Sequence, residues 1–227
     1  MKAKFFRTIS ILYKDLLCEL RSGQGIAVMI LPEILIAGLF RISGITITEP
    51  ERLVSCVLLV NLLFAGILGG ERTALSEHEN GCINGLLVCP AKSEEIYFAK
   101  FGFNFLLLCL FGIIIVPILA ILFLTESNIH LLELLFSILL INIALGSVVT
   151  ILGFLVYRSG AGNSLLSVIF IPVMLPVFIP AVNLITYCLG GGDTIDTGNK
   201  AVQFLVCFDI IFLTLGWLLF DFVLEEN

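Results

Sequence analysis

Residues 131–157 read LLELLFSILLINIALGSVVTILGFLVY, and Glu133 is the only charged side chain among them. A helix of this length is long enough to cross the roughly 30 Å hydrocarbon core of a bilayer. Runs of the same kind recur at about 26–47, 53–70, 101–124, 164–189 and 201–223. The sequence therefore predicts an all-α membrane protein with six transmembrane helices.

The composition supports the same fold class. The 227 residues are 59% hydrophobic and 13% charged, with a mean hydropathy of +1.13, and a water-soluble domain could not cover that balance with polar surface. Six spans and their loops occupy nearly all of 1–227, so we expect a single transmembrane domain without a soluble catalytic domain. The net charge of -6 is spread thinly over the loops, and no nucleic-acid partner is expected.

The N-terminal segment, residues 4–22, has a different pattern. Apolar side chains recur at helical spacing, and charged side chains largely occupy the other faces. This pattern predicts an amphipathic helix lying in the membrane interface. The segment lacks the uninterrupted apolar region and cleavage site of a secretory signal, so we expect it to be retained.

Lysine and arginine residues predict the orientation of the spans. Nine of them fall in the N-terminal segment and in the loops after spans two and four, whereas the opposite side has only Arg41, Arg52 and Lys200. Both termini are therefore predicted to be cytoplasmic, with residues 190–200 facing outward.

The longest polar stretch, residues 71–100, falls on the predicted cytoplasmic side. A simple connector needs only a few residues. This loop contains an acidic lead-in, a glycine hinge, an apolar pair and a helix-stopping proline: Glu77, Glu79, Gly81, Leu86, Leu87 and Pro90. It predicts a short helix parallel to the membrane that presents side chains to a cytoplasmic partner. The alternative is a solvated loop that dips its leucines into the lipid headgroups.

This loop resembles that of the ABC-2 type permeases, which reads roughly E-x-G-T-x-E-x-L-L-x-x-P and is followed by a Glu and then a Lys at the start of span three. The matching positions are Glu79, Gly81, Leu86, Leu87, Pro90, Glu95 and Lys100, while Cys82, Ile83 and Asn84 depart from the pattern. The resemblance implies that residues 71–100 form a coupling helix that docks on a separate ATPase subunit. It also implies that the N-terminal helix is the interface helix of that group.

Within that group, the chain is similar to the haem exporter protein B (CcmB) family of cytochrome c maturation permeases. The similarity covers the length, the six spans, the opening KDLLCELRSG, the coupling loop and the IPVMLPVFIP of span five, although the first span lacks the expected Phe-Pro run. It implies a bacterial inner-membrane permease subunit that handles haem for c-type cytochrome biogenesis, by exporting haem or by releasing a haem-loaded chaperone. The implied partners are an ABC ATPase subunit that binds ATP, other cytochrome c maturation membrane proteins, and a second copy of this chain or another membrane chain.

Two further alternatives remain at this point. One is a general ABC-2 exporter subunit for drugs, lipids or polysaccharides. The other is a purely structural membrane anchor, although an anchor would not require the long charged loop.

Three prolines lie within the fifth predicted span. Pro172, Pro176 and Pro180 recur every four residues, so they share one face of a helix. Each removes a backbone donor and bends the span. This arrangement is interpreted either as a hinge beside a transport path or as a fixed kink that packing accommodates.

Two acidic residues, Glu33 and Asp209, lie well inside predicted spans, away from their ends. A charge at the bilayer centre costs about 2.5–3.5 kcal/mol, so each carboxyl group must be paired, protonated or facing a cavity. The candidate hydrogen-bond partners within the spans are Asn61, Asn104 and Asn142, which could equally bind helices together.

The sequence predicts no catalytic residue, metal site or bound cofactor. It has no His-Glu-x-x-His or Gly-x-Ser-x-Gly motif, no C-x-x-C pair among its seven cysteines and no phosphate-binding loop. ATP hydrolysis is therefore expected on a separate chain, and haem is expected only as a substrate. His78 and His130 are predicted on opposite sides of the membrane, so they cannot jointly ligate one haem; a single axial ligand at His130 is an open alternative.

Overall fold

The computed structural model describes residues 2–22, 24–42, 49–79, 93–123, 129–159, 164–191 and 195–225. The described residues form seven α-helices and no strand, which confirms the all-α class. They are α1 (Lys2–Ser22), α2 (Gln24–Ile42), α3 (Pro50–Glu79), α4 (Ser93–Phe123), α5 (Leu131–Ser159), α6 (Ser164–Cys188) and α7 (Ile195–Glu225).

Five of these helices are long and apolar enough to cross a membrane. The spans are Pro50–Glu71, Ser93–Phe123, Leu131–Val156, Leu165–Cys188 and Gly198–Phe220, and they correspond to the second to sixth predicted spans. For the first predicted span, at about 26–47, helix α2 contains the shorter apolar segment Met29–Phe40. Six spans therefore remain a prediction from the sequence, whereas five are present in the structure.

The helices on either side of the predicted coupling loop are longer than the sequence indicates. Helix α3 continues to Glu79 and α4 already begins at Ser93, so residues 71–79 and 93–100 of the predicted loop are helical. Ser93 is a residue type favoured at helix starts, and Glu94 and Glu95 place negative charge in the first turn, where the helix dipole favours it. Residues 80–92 lie outside the described residues.

Helix α5 is the centre of the bundle. It packs against α3, α4, α6 and α7, and its buried face carries Ile141, Ala144, Val148 and Val149. Small residues permit these close contacts: Gly146 of α5, for example, lies against the backbone of α4 at Phe105. The apolar segments of α3 and α5 are mostly buried, whereas less than a third of the most apolar stretch of α4, α6 and α7 is buried.

Helix α1 lies against the beginning of α4. A Cβ atom added at Gly102 would press on the side chain of Leu12, so the missing side chain at Gly102 allows the two helices to approach closely. The opposite side of α1 exposes Phe6, Ile9 and Tyr13. An exposed apolar face beside charged side chains is typical of a helix in the membrane interface.

Candidate coupling site

The predicted docking loop is described only at its two ends. Glu79 is the last residue of α3, whereas Gly81, Leu86, Leu87 and Pro90 lie outside the described residues. Their role in ATPase docking therefore stays a prediction. The described part of the site consists of the end of α3 and the beginning of α4, together with the helices that hold them.

A buried ion pair attaches the beginning of α4 to α1. Lys100 Nζ donates a hydrogen bond of 2.7 Å to Asp15 Oδ2, and only 3% of the lysine side chain and 11% of the aspartate side chain are exposed. Lys14 Nζ lies 3.0 Å from the other oxygen of Asp15. Because buried charges are costly without a partner, this pair fixes where α1 lies on the bundle.

Glu95 lies in the first turn of α4 and also faces α1. Its side chain is only 4% exposed, and its Oε2 atom is 3.7 Å from Nη1 of Arg7. This distance suits an ion pair but is too long for a hydrogen bond, and neither carboxylate oxygen has a hydrogen-bond partner among the described residues. The structure therefore places Glu95 against the N-terminal helix, and its role in ATPase docking stays a prediction.

Tyr97 connects the same part of α4 to α7. Its side chain is fully buried, its ring centroid lies 5.5 Å from that of Phe220, and a Cβ atom at Gly216 would overlap its hydroxyl group. Phe220 in turn packs edge-on against Phe154 of α5 at 4.4 Å. The sequence analysis did not identify this contact, although a glycine within an apolar span is a signal of close packing.

A separate contact attaches the end of α3 to α6. The hydroxyl group of Ser167 donates a hydrogen bond to the carboxylate of Glu71. Two glycines one turn apart bring α3 close to both of its neighbours here, since a Cβ atom at Gly66 would meet Phe170 of α6 and one at Gly70 would press on Val149 of α5. The helices before and after residues 80–92 are thus held by different neighbours: α3 is held by α6 at Glu71, and the beginning of α4 is held by α1 and α7.

The prolines of α6 lie on the side of the helix away from the core. Pro172 and Pro176 are exposed and Pro180 is partly exposed, whereas Phe170 and Met174 point into the bundle. The helix remains one element from Ser164 to Cys188. One face of the helix therefore packs against the core, and the three prolines lie on a different face.

Asp209 does not find any of the predicted amide partners in the described structure. Asp209 is 5% exposed, and neither of its oxygens has a hydrogen-bond partner among the described residues. Asn104 instead donates to Thr150 Oγ1 at 3.0 Å, and Asn142 Nδ2 lies 3.6 Å from the sulfur of Cys109. Glu33 lies within α2; its side chain is outside the described part of the structure.

Three buried polar residues nevertheless share one depth in the membrane. Asn61, Asn142 and Asp209 each lie eleven residues after the first residue of their spans, which at 1.5 Å per residue is about 16 Å, close to the middle of the bilayer. Helices α3 and α7, which carry Asn61 and Asp209, do not contact each other in the described ranges. The residues therefore form a layer at one depth and not one shared cluster.

His130, which directly precedes the first residue of α5, has a packing role. Its ring stacks on that of Tyr187 with a centroid distance of 6.1 Å and an angle of 5°, and its backbone N–H donates to the carbonyl of Cys188 at 2.9 Å. No group of three histidine, cysteine or acidic residues in the described ranges could hold a metal ion. His78 lies in α3 and its side chain is not described.

Five long apolar helices and an N-terminal helix joined to them by a buried ion pair define an integral, all-helical membrane protein. The family model described as CcmB protein matches residues 6–224, so this chain belongs to the CcmB family. The family consists of haem-related permeases of cytochrome c maturation and makes this chain an inner-membrane permease subunit. No curated protein matches the chain.

Proposed function

We propose that this chain couples ATP hydrolysis on a separate ABC ATPase subunit to the handling of haem in c-type cytochrome biogenesis. The observation that supports the proposal is the buried pair of Lys100 and Asp15, which attaches the chain just after residues 80–92 to the N-terminal helix. A loop that only joined two spans would not need a fixed attachment of this kind. Membership of the CcmB family favours haem over the drugs, lipids or polysaccharides of a general exporter.

The contacts at the two ends of residues 80–92 suggest how a movement of the ATPase would reach the membrane. A displacement of the start of α4 moves α1 with it, because separating Lys100 from Asp15 would leave buried charges without each other. A displacement of the end of α3 acts on α6 through the hydrogen bond between Glu71 and Ser167. One docking event would thus act on both the interfacial helix and the proline-containing helix.

The movement would serve either the export of haem or the release of a haem-loaded chaperone at the outer face. Both tasks use the same coupling site, and both place the ATP chemistry on the partner subunit. In either case the partners are an ABC ATPase and other membrane proteins of cytochrome c maturation.

Purification of the tagged full chain in detergent, with mass spectrometry of the bound proteins and an absorption scan for haem, tests the assignment. We expect an ABC ATPase together with other cytochrome c maturation proteins, with or without haem. An ATPase recovered without those proteins would indicate a general exporter, and the recovery of no ATPase would contradict the proposal.

A second experiment tests the docking loop directly. Leu86→Asp and Gly81→Pro are each expected to abolish the stimulation of the ATPase by the complex while the chain still inserts into the membrane. Asn84→Asp is a charge-matched control, because it adds a carboxylate to the same loop at a position where the ABC-2 pattern itself has an acidic residue. Unchanged stimulation in Leu86→Asp, or an equal loss in Asn84→Asp, would contradict docking through the leucine pair.

A further inference from the structure

A cavity of about 340 Å³ lies between the ends of three helices. None of its lining residues belongs to the coupling site. The cavity is formed by the beginning of α5, the end of α6 and the beginning of α7. The apolar spans at this place begin at Leu131, end at Cys188 and begin at Gly198. The cavity therefore lies at the boundary between the hydrocarbon core and the polar interface, on the side that the sequence predicts to face outward.

The lining of the cavity is amphipathic. Leu132, Phe136, Leu184 and Val202 provide apolar walls, whereas Glu133 and Asn199 provide polar groups. Tyr187, stacked on His130, closes one side, and a tyrosine at this depth is typical of residues that contact lipid headgroups. The ligand that fits has an apolar part and a polar head at the same level as the membrane surface.

The charge of the lining indicates which headgroup the ligand has. Glu133 is the only charged side chain among the described residues that line the cavity, so a cationic group is favoured there and a net negative head is repelled. Glu133 also lies in the first turn of α5, where the backbone amides of a helix start favour a phosphate group. A ligand with an ammonium group, a phosphate group and an apolar chain therefore fits the Glu133 carboxylate, the start of α5 and the apolar walls, respectively.

We propose that this cavity binds a phospholipid with an ethanolamine headgroup from the surrounding leaflet. The ammonium group donates a charge-assisted hydrogen bond to the Glu133 carboxylate, the phosphate lies near the start of α5 and the amide of Asn199, and the upper part of an acyl chain covers Leu132 and Phe136. The volume is at the lower end for small-molecule pockets, so the site holds the head and the first part of one chain. This site is independent of the proposed coupling function.

Native mass spectrometry of the purified full chain tests this proposal. The chain is mixed with equal amounts of ethanolamine, choline and glycerol phospholipids that carry the same acyl chains. We expect the ethanolamine lipid to be retained roughly tenfold more than the glycerol lipid, the worth of one charge-assisted hydrogen bond. The choline lipid should be retained less than the ethanolamine lipid, because its head cannot donate an N–H. Equal retention of the ethanolamine and glycerol lipids would overturn the proposal.

Two variants locate the site. Glu133→Gln, at an exposed position, is expected to remove the preference for ethanolamine, and Val202→Trp to lower retention of all three lipids by filling the cavity. Glu49→Gln is the matched control, because Glu49 is an exposed acid at the end of a neighbouring span that does not line the cavity. An equal effect of Glu49→Gln, or no effect of Glu133→Gln, would show that the cavity is not the site.

A photoreactive benzophenone side chain in place of Phe136 separates lipid from a protein occupant. Phe136 lines the cavity and is half exposed, so illumination of native membranes should attach a phospholipid to this position. An adduct with another membrane protein instead would show that a protein covers the cavity, and would overturn the proposal.

Discussion

Lys100 Nζ and Asp15 Oδ2 lie 2.7 Å apart, across a separation of 85 residues in the chain. The pair joins the N-terminal helix to the first turns of α4, and little of either side chain is exposed. Together with the close approach of Leu12 to Gly102, it makes α1 part of the bundle and not a loosely attached surface segment.

The substitution Asp15→Asn should therefore destabilise the protein strongly. It removes the negative charge from beside a nearly buried lysine, and the loss of one partner from such a pair costs about 3 kcal/mol. Thermal unfolding of the purified chain in detergent measures the change. Lys14→Gln is the control: Lys14 contacts the same carboxylate but is half exposed, so its loss should cost less than about 1 kcal/mol. Equal stability of Asp15→Asn and the wild type would contradict the structural role of the pair.

The substitution Gly216→Ala should separate α7 from the beginning of α4. A methyl group at this position would overlap the ring and hydroxyl group of Tyr97, and overpacking of this kind costs about 1–3 kcal/mol. Gly38→Ala in α2 is a matched control, since nothing lies within 4 Å of an added Cβ atom there. The same unfolding measurement compares the two variants, and an equal loss of stability in both would show that the contact with Tyr97 does not matter.

The substitution Tyr97→Phe should leave the stability unchanged or raise it. The hydroxyl group is buried and has no hydrogen-bond partner among the described residues, and a buried donor without a partner costs about 1–3 kcal/mol. In the Gly216→Ala background, Tyr97→Phe should restore part of the lost stability because it removes one of the overlapping atoms. A large loss of stability in Tyr97→Phe alone would reveal a partner for the hydroxyl group.

The substitution Asp209→Asn should preserve the fold. It keeps the size of the side chain and removes a carboxyl group that accepts no hydrogen bond in the described structure, so we expect insertion and thermal stability equal to or above those of the wild type. Cytochrome c maturation measured in cells that carry this variant then reports on function separately from folding. Normal stability with lost maturation would assign Asp209 a functional role, whereas lost stability would contradict the absence of a partner.

Much of the architecture could be predicted from the sequence because the bilayer imposes a length on each apolar run. Five predicted spans coincide with long apolar helices. The start of α4 was placed too late, at residue 101, because Glu94, Glu95 and Lys100 indicate a polar loop. In the structure Glu95 and Lys100 face Arg7 and Asp15 of α1, and this pairing lets the helix begin at Ser93.

The side-chain partners inside the bundle could not be predicted in the same way. Hydropathy gives the depth of a residue but not the rotation of its helix about its own axis. Asn104 and Asp209 were therefore candidates for each other, whereas rotation of the helices points Asn104 at Thr150 and leaves Asp209 without a partner among the described residues. The pairing of Asp15 with Lys100 could not be predicted either, because 85 residues separate the two and no local sequence pattern connects them.

That separation also sets an order of events during synthesis. At about 5–20 residues per second, the ribosome needs roughly 4–17 s to add the 85 residues between Asp15 and Lys100. Throughout this interval the N-terminal helix has been made but its binding surface on α4 has not. Asp15 has no Lys100 to pair with during this time, so the helix can reach its final position only after the beginning of α4 has left the ribosome.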